Sequence, residues 1–130
     1  MKAARWIDRR ALVLLLAESL AEHGGLPGFR DENALDAALA RPQQVHAYEP
    51  KADLARPAAV YGYGIVRDHP FNDGNKRAGF LAIGLFLALN GFELAVDQIE
   101  AVETILNLAE GNFSESRLAV WIRKHIRRDR

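Results

Sequence analysis

Residues 75–90 read NKRAGFLAIGLFLALN, and this stretch decides the fold. After the two cations Lys76 and Arg77, apolar residues occur on nearly every side of the helix that the sequence favours. A helix without a polar face must be covered by protein all round, so it belongs in the middle of a bundle. The Asn90-Gly91 pair ends it, because glycine readily adopts the left-handed backbone that follows a helix. The stretch therefore predicts a buried fourth helix at the centre of the protein.

Capping residues and helix-ending glycines or prolines predict five further helices around it. Side chains such as Asp and Ser accept hydrogen bonds from the first free backbone N–H groups of a helix. The predicted helices run from Asp8 to Gly24-Gly25, from Asp31 to before Pro42, from about Asp53 to about Asp68, from Asp97 to near Gly111, and from Ser114 through Ile126. No strand-like alternation is present, and 130 residues supply the core of one domain. The prediction is an all-α bundle of about six helices, in a single domain spanning 1–130.

The segment from Pro42 to Pro50 breaks the helical pattern. It has no apolar stripe of helical spacing, lies between two prolines and contains the β-favouring residues Val45 and Tyr48. We predict an extended loop or a short hairpin here.

Charge and cysteine content exclude several classes of protein. Lys plus Arg and Asp plus Glu both number 17, so no overall field recruits nucleic acid or a membrane. The chain has no Cys, which excludes disulfides and thiolate metal sites, and its apolar runs are too short to span a bilayer. The expected compartment is therefore the cytoplasm. A basic cluster near the C-terminus is either a solvated, frayed helix end or a contact for an acidic partner; it comprises Arg117, Arg123, Lys124, Arg127, Arg128 and Arg130.

The stretch from His69 to Arg77, HPFNDGNKR, carries the chemistry. It precedes the buried helix, whose first backbone N–H groups are free to bind an anion. Gly74 allows close approach of a ligand, and Lys76 and Arg77 add two positive charges, so the segment predicts a phosphate-binding site. Asp73 supplies the single carboxylate that suits Mg²⁺ beside a phosphate. His69 supplies an imidazole that can take a proton from an attacking hydroxyl, and phosphoryl transfer needs little else.

Each of these residues alone has a structural explanation. His69 could be a surface or capping histidine, Asp73 could cap the fourth helix, and Lys76 and Arg77 could be solvated charges. Phe71 is a core anchor under either interpretation. The functional interpretation gains weight because all of them meet in one turn, and because a buried helix has little structural reason to begin with two cations.

The nine residues match the signature of the Fic/Doc family, H-P-F-x-[D/E]-G-N-[G/K]-R, at every defined position. The turn Gly24-Gly25-Leu26-Pro27-Gly28, the apolar fourth helix and the overall length also resemble the Doc (death-on-curing) toxins of this family. The resemblance covers nearly the whole chain. It implies the Fic fold, in which the signature loop opens onto a central helix of a mostly helical bundle.

The resemblance also implies an activity and a set of roles. His69 would be the base, Asp73 the Mg²⁺ ligand, Gly74 and Asn75 the anion-binding turn with a polar contact to phosphate, and Lys76 and Arg77 the phosphate counter-charges. Many Fic enzymes transfer AMP and carry glycine at the position of Lys76 and arginine at the position of Phe80. Doc-type members share the lysine and lack that arginine. They are understood to bind ATP in the opposite sense and to act as protein kinases on a threonine of elongation factor Tu.

The family also suggests partners for the chain. Its toxins are paired with a small antitoxin, here one of the prevents-host-death type. The segment from Pro42 to Pro50 matches the position of the family's flap, where Tyr48 and Val45 would face a target peptide added as a strand; a purely structural loop is the alternative. Three competing functions remain open at this point: an AMP transferase that tolerates Lys76, a catalytically silent antitoxin- or nucleotide-binding module, and, weakest, a nucleic-acid-binding domain that uses the basic C-terminus.

Overall fold

The predicted all-α bundle is confirmed. A computed structural model describes residues 3–129, and within that range it contains six helices and one two-stranded sheet. The elements are α1 (Arg9–His23), α2 (Glu32–Tyr48), α3 (Ala55–Asp68), α4 (Asn75–Leu89), β1 (Phe92–Leu94), α5 (Gln98–Ala109), α6 (Glu115–His125) and β2 (Ile126–Arg128). No helix in the described residues is long and apolar enough to cross a membrane.

The predicted caps form at four helix starts. In each case the side-chain oxygen accepts a hydrogen bond from a backbone N–H of the first turn; the capping residues are Asp8, Asp31, Asp97 and Ser114. Asp73, the alternative structural explanation for a cap on α4, does not cap it, because the N-cap is Gly74 and α4 has no side-chain cap. The first turn of α4 is therefore not covered by an acidic side chain.

Helices α3 and α4 together form the centre of the bundle. Helix α4 packs on α1, α3, α5 and β1, and it buries a face that contains Ile83, Phe86 and Leu87. Helix α3 is buried over most of its length and packs on α2, α4, α5 and α6. Its share of the core was not evident in the sequence, because much of its buried surface consists of alanine and glycine.

Two glycines let α3 and α4 approach closely. A Cβ atom at Gly62 of α3 would lie 2.6 Å from Cδ1 of Ile83. A Cβ atom at Gly79 of α4 would lie 2.4 Å from Cγ2 of Val66 and 3.1 Å from the carbonyl oxygen of Gly62. Backbone therefore lies almost against backbone where the two helices cross.

The prediction of an extended loop or hairpin from Pro42 to Pro50 is wrong. Helix α2 continues through Pro42 to Tyr48. A proline inside a helix costs about 3 kcal/mol, but Pro42 is buried here, and the ring of His46 packs edge-on against Trp6 at 5.3 Å between ring centroids. These tertiary contacts outweigh the local preference of the prolines, Val45 and Tyr48 for a non-helical backbone. Tyr48 is 92% exposed at the end of the helix, and there is no strand to which a peptide could add at this place.

The chain segment after α6 forms a strand that the sequence did not predict. Helix α6 ends at His125, and β2 pairs antiparallel with β1, with Phe92 opposite Arg128 and Leu94 opposite Ile126.

Three members of the basic cluster have partners in the described chain, so the segment after α6 is paired and not frayed over its described part. Arg123 is hydrogen-bonded to Asp53, Arg127 pairs with Glu93, and the guanidinium of Arg128 lies 5.6 Å from the ring centroid of Phe92. Arg130 lies outside the described residues.

Candidate active site

The nine-residue signature joins the two central helices. Helix α3 ends at Asp68, helix α4 begins at Asn75, and residues 69–74 between them are called the motif loop below. His69 is the C-cap of α3, with φ 50° and ψ 58°, and it is the one non-glycine residue with positive φ among residues 3–129. Such a backbone costs about 1–3 kcal/mol and persists only where its surroundings hold it. A following proline normally pushes a residue towards extended backbone, so His69 is held against two preferences.

Phe71 and Asn75 anchor the motif loop from within. Phe71 is 3% exposed, as predicted for a core anchor. The side chain of Asn75 accepts a hydrogen bond from the N–H of Phe71 at 2.9 Å and donates one to its carbonyl oxygen at 3.0 Å. Both polar atoms of this amide are engaged within the loop. One N–H of this amide and the backbone N–H of Asn75 have no partner in the loop, and they are the donors that the predicted phosphate contact could use.

The start of α4 presents free donors and free charges. The first hydrogen bond of the helix runs from the N–H of Ala78 to the carbonyl oxygen of Gly74, at 2.7 Å, so the N–H groups of residues 75–77 have no partner inside the helix. Among residues 3–129, neither Lys76 nor Arg77 pairs with a carboxylate, whereas six other arginines do; they are Arg9, Arg10, Arg41, Arg56, Arg123 and Arg127. The helix dipole and the free N–H groups favour an anion at this helix start, and the two cations lie in its first turn.

Gly74 is required by the fold as well as by the proposed ligand. Its φ is 77°, and a Cβ atom there would lie 3.1 Å from side-chain carbons of Leu16 and Leu20 on α1. The sequence suggested glycine for close approach of a ligand. The structure adds two reasons for glycine: the positive φ, which side chains disfavour, and the short distance from a Cβ atom to α1.

Asp73 is exposed at the edge of this position and does not cap α4. One carboxylate oxygen accepts from the N–H of Gly74 at 2.9 Å, and the other accepts from the N–H of Leu26 at 3.1 Å. A carboxylate has about four acceptor positions, so roughly two remain. The described residues contain no group of three or more His, Asp or Glu side chains that could hold a metal on their own. A single carboxylate with room for water and phosphate oxygens fits the way Mg²⁺ is held beside nucleotides.

A second chain segment packs against the motif loop, and the sequence pattern does not predict this contact. Residues 26–31, the backing segment, run antiparallel to residues 68–73. Phe29 forms a β-bridge with Phe71, and their rings stack at 5.7 Å between centroids. The N–H of Asn72 donates to the carbonyl oxygen of Gly28 at 3.0 Å, and Arg30 donates to carbonyl oxygens at the end of α3. The glycine-rich turn was noticed in the sequence, but nothing in the pattern revealed that the residues after it contact the loop.

The surface at the loop is open. His69, Asn72, Asp73 and Lys76 are exposed. A groove of about 240 Å³ lies nearby between α2 and α3, and it is lined by Ala37, Ala38, Arg41, Val60, Tyr63, Gly64 and Asp68. Because Asp68 directly precedes His69, the groove ends beside the candidate base.

Comparison with known proteins adds evidence of kinship. A family model described as the Fic/DOC family matches residues 6–87, a range that contains the backing segment, the motif loop and most of α4. The protein named Protein kinase doc, from Escherichia phage P1, is 34% identical over 120 residues, which cover 92% of this chain and 94% of that protein. The protein named Toxin Doc, from Mycolicibacterium smegmatis, is 38% identical over 104 residues, 78% of each chain.

Proposed function

Since the chain belongs to the Fic/DOC family, we propose that it is a Doc-type toxin that transfers the γ-phosphoryl group of ATP to a hydroxyl of another protein. One observation carries the proposal. The motif loop holds a strained, exposed His69 next to a helix start at which Lys76 and Arg77 have no carboxylate partner in the described chain. A base beside a cationic helix start is what phosphoryl transfer to a hydroxyl requires.

Each residue of the signature has a proposed task. His69 takes the proton from the target hydroxyl as the oxygen attacks phosphorus. Gly74 and Asn75 form the anion-binding turn and supply a polar contact to a phosphate oxygen, and Lys76 and Arg77 neutralise the phosphate charge. Asp73 holds Mg²⁺, which supplies charge neutralisation and orients the phosphates when it is bound.

Lys76 supports phosphate transfer over AMP transfer. A lysine side chain fills space that glycine would leave open for a phosphate, and Phe80, one turn further along α4, offers no second cation. We therefore propose that the triphosphate lies with its γ-phosphate towards His69. This orientation is a proposal about this chain, in keeping with a relative whose name is Protein kinase doc.

Two partners complete the proposal. The proposed substrate is a threonine of elongation factor Tu, whose modification would stop protein synthesis. The proposed inhibitor is an antitoxin of the prevents-host-death type, and both encounters would take place in the cytoplasm. A relative named Toxin Doc supports the toxin assignment.

Labelled ATP tests the reaction directly. The purified chain is incubated with elongation factor Tu, Mg²⁺ and ATP labelled at either the α- or the γ-phosphate. We expect only the γ-label on the factor. Transfer of the α-label would establish an AMP transferase instead. Absence of both labels, from the factor and from every protein of a cell extract, would leave a catalytically silent module.

His69→Ala is the matched control for the same assay. We expect transfer to fall by about 10²–10⁴-fold, because base catalysis is lost while the phosphate-binding position persists. ATP affinity, measured by calorimetry, should stay within about threefold. Undiminished transfer by the folded variant would refute the task given to His69.

A further inference from the structure

The end of α3 is where the candidate base needs support. The last carbonyl groups of a helix have no partner within it, and here they precede a residue with positive φ and a proline. Only one intrahelical bond reaches His69, from its N–H to the carbonyl oxygen of Ile65 at 3.3 Å. Contacts from elsewhere in the chain must therefore keep this backbone in place.

Arg30 of the backing segment makes the decisive contacts. Its Nε donates to the carbonyl oxygen of His69, and its Nη2 donates to the carbonyl oxygen of Asp68. The planar guanidinium thus bridges two consecutive carbonyl oxygens in one fork, and a cation at a helix C-terminus also complements the helix dipole. The contact defines the orientation of the peptide group on either side of the His69 Cα.

Arg30 is itself held by backbone. Its N–H and the N–H of Asp31 both donate to the carbonyl oxygen of Pro70, at 2.9 and 3.0 Å. Asp31 caps α2 through the N–H of Ala34 at 3.1 Å, so the position of Arg30 is fixed by the start of a helix that packs on α3. Backbone and side chain of Arg30 together contact the three residues around the candidate base.

We infer that Arg30 is a positioning residue for His69, and that its fork on the carbonyl oxygens of Asp68 and His69 sets the direction of the imidazole. The inference rests on the proposed function in so far as His69 is the base. Arg30 does not touch the nucleotide in this assignment. Its loss should change the rate of transfer and leave the binding of ATP nearly unaltered.

The test compares three variants of the full chain. Arg30→Ala removes the fork, and Arg30→Lys keeps the charge but not the planar pair of donors. Arg123→Ala is the control, because Arg123 also makes two side-chain hydrogen bonds, both to Asp53, but at the other end of α3. That helix has 14 residues and is therefore roughly 20 Å long, so the control lies far from His69.

Two measurements are made on each folded variant. The first is transfer from γ-labelled ATP, resolved into kcat and KM. We expect kcat to fall roughly 10²-fold in Arg30→Ala, as for a misplacement of a catalytic group by about 1 Å, with KM for ATP within about threefold. Arg30→Lys should recover part of the rate, and Arg123→Ala should match the unmodified protein.

The second measurement needs no activity. The ring carbon–proton signals of His69, assigned by NMR through His69→Gln, should shift or broaden in Arg30→Ala, while those of His23, His46 and His125 stay in place. Amide hydrogen exchange at Asn72, whose N–H donates to Gly28, should accelerate at least tenfold in the same variant. If Arg30→Ala does not fold, Arg30→Lys carries both measurements.

The outcomes separate the inference from the proposed function. Unchanged His69 signals and unchanged exchange in the Arg30 variants would overturn the positioning of His69, even if transfer of the γ-label is confirmed. A loss of ATP affinity equal to the loss of rate would also overturn it, because Arg30 would then act on the phosphate site. If the unmodified protein transfers no phosphate, the proposed function fails, and the NMR result still decides whether Arg30 directs His69.

Discussion

The crossing of α3 and α4 allows a prediction with an internal control, because α4 carries two glycines in different surroundings. In general, replacing glycine by alanine inside a helix stabilises it by about 0.8–1 kcal/mol. Gly84 has open space around the position of a Cβ atom, so Gly84→Ala should be stabilising by about that amount.

Gly79→Ala should have the opposite sign. The new methyl group would lie 2.4 Å from Cγ2 of Val66, whereas ordinary contact begins at 3.4 Å, so the atoms must separate by about 1 Å. Its other neighbour, at 3.1 Å, is the backbone oxygen of Gly62, which cannot rotate away. Overpacking of this kind costs typically about 1–3 kcal/mol, which equals or exceeds the gain in helix propensity. We expect the free energies of unfolding of the two variants to differ by about 1–3 kcal/mol.

Urea and thermal denaturation measure this difference. Every 1 kcal/mol should shift Tm by about 3–5 °C for a chain of this size. Gly79 lies about one helical turn from the start of α4, and Val66, which its new methyl group would meet, lies about one turn before His69. Gly79→Ala should therefore also reduce phosphoryl transfer more than Gly84→Ala does. Equal stabilisation by both substitutions would refute the close approach of the helices.

Three further outcomes follow from the site and from an ion-pair network. Asp73→Asn should weaken ATP binding in the presence of Mg²⁺ but not in its absence, and it should lower the free energy of unfolding by about 1 kcal/mol. Calorimetry with and without Mg²⁺ measures the two affinities, and equal weakening in both would show that Asp73 is not a metal ligand. Lys76→Gly should lose most γ-label transfer and allow weak α-label transfer. If the variant still transfers only the γ-label at full rate, Lys76 does not determine the orientation of the nucleotide. Burial alone would raise the pKa of Glu115, but hydrogen bonds from Arg41 and Arg56 outweigh it and hold this pKa below its ordinary value. The stabilisation is therefore complete above the ordinary value of 4.5 and is lost as pH falls through the lowered pKa. Glu115→Gln should lower the free energy of unfolding by about 1–3 kcal/mol at pH 7 and flatten its acid dependence; denaturation curves from pH 3 to pH 7 that parallel those of the unmodified protein would contradict this.

Local chemistry made the helix boundaries predictable. Asp8 and Ser114 cap their helices because a short polar side chain can accept a backbone N–H in the first turn, whatever the rest of the fold does. Pro42 is different, because the energetic cost of a proline inside a helix can be read from the sequence, whereas the burial that offsets this cost depends on residues far away in the chain. The strand β2 was missed for a similar reason, since its partner β1 lies more than thirty residues earlier in the chain.

The candidate site divides in the same way. His69, Asp73 and the cations at the start of α4 are contiguous, so a motif could reveal them. Arg30 is 39 residues from His69, and its contact is to a backbone oxygen, which leaves no trace in the choice of residue at the accepting position. Side chains that hold a site through hydrogen bonds to backbone oxygens therefore cannot be identified from a single sequence.

The central position of α3 has a consequence for how the protein is made. Helices α2 and α4, which pack on it, are also its neighbours in the chain, whereas α6 is far from it in sequence. Arg56 and Glu115, which are hydrogen-bonded at 2.8 Å, are separated by 59 positions. A nascent chain on the ribosome exposes the apolar face of α3 until α6 has emerged, and contacts of such separation form late in folding. The helix that ends at His69 is thus seated only when synthesis has passed α6.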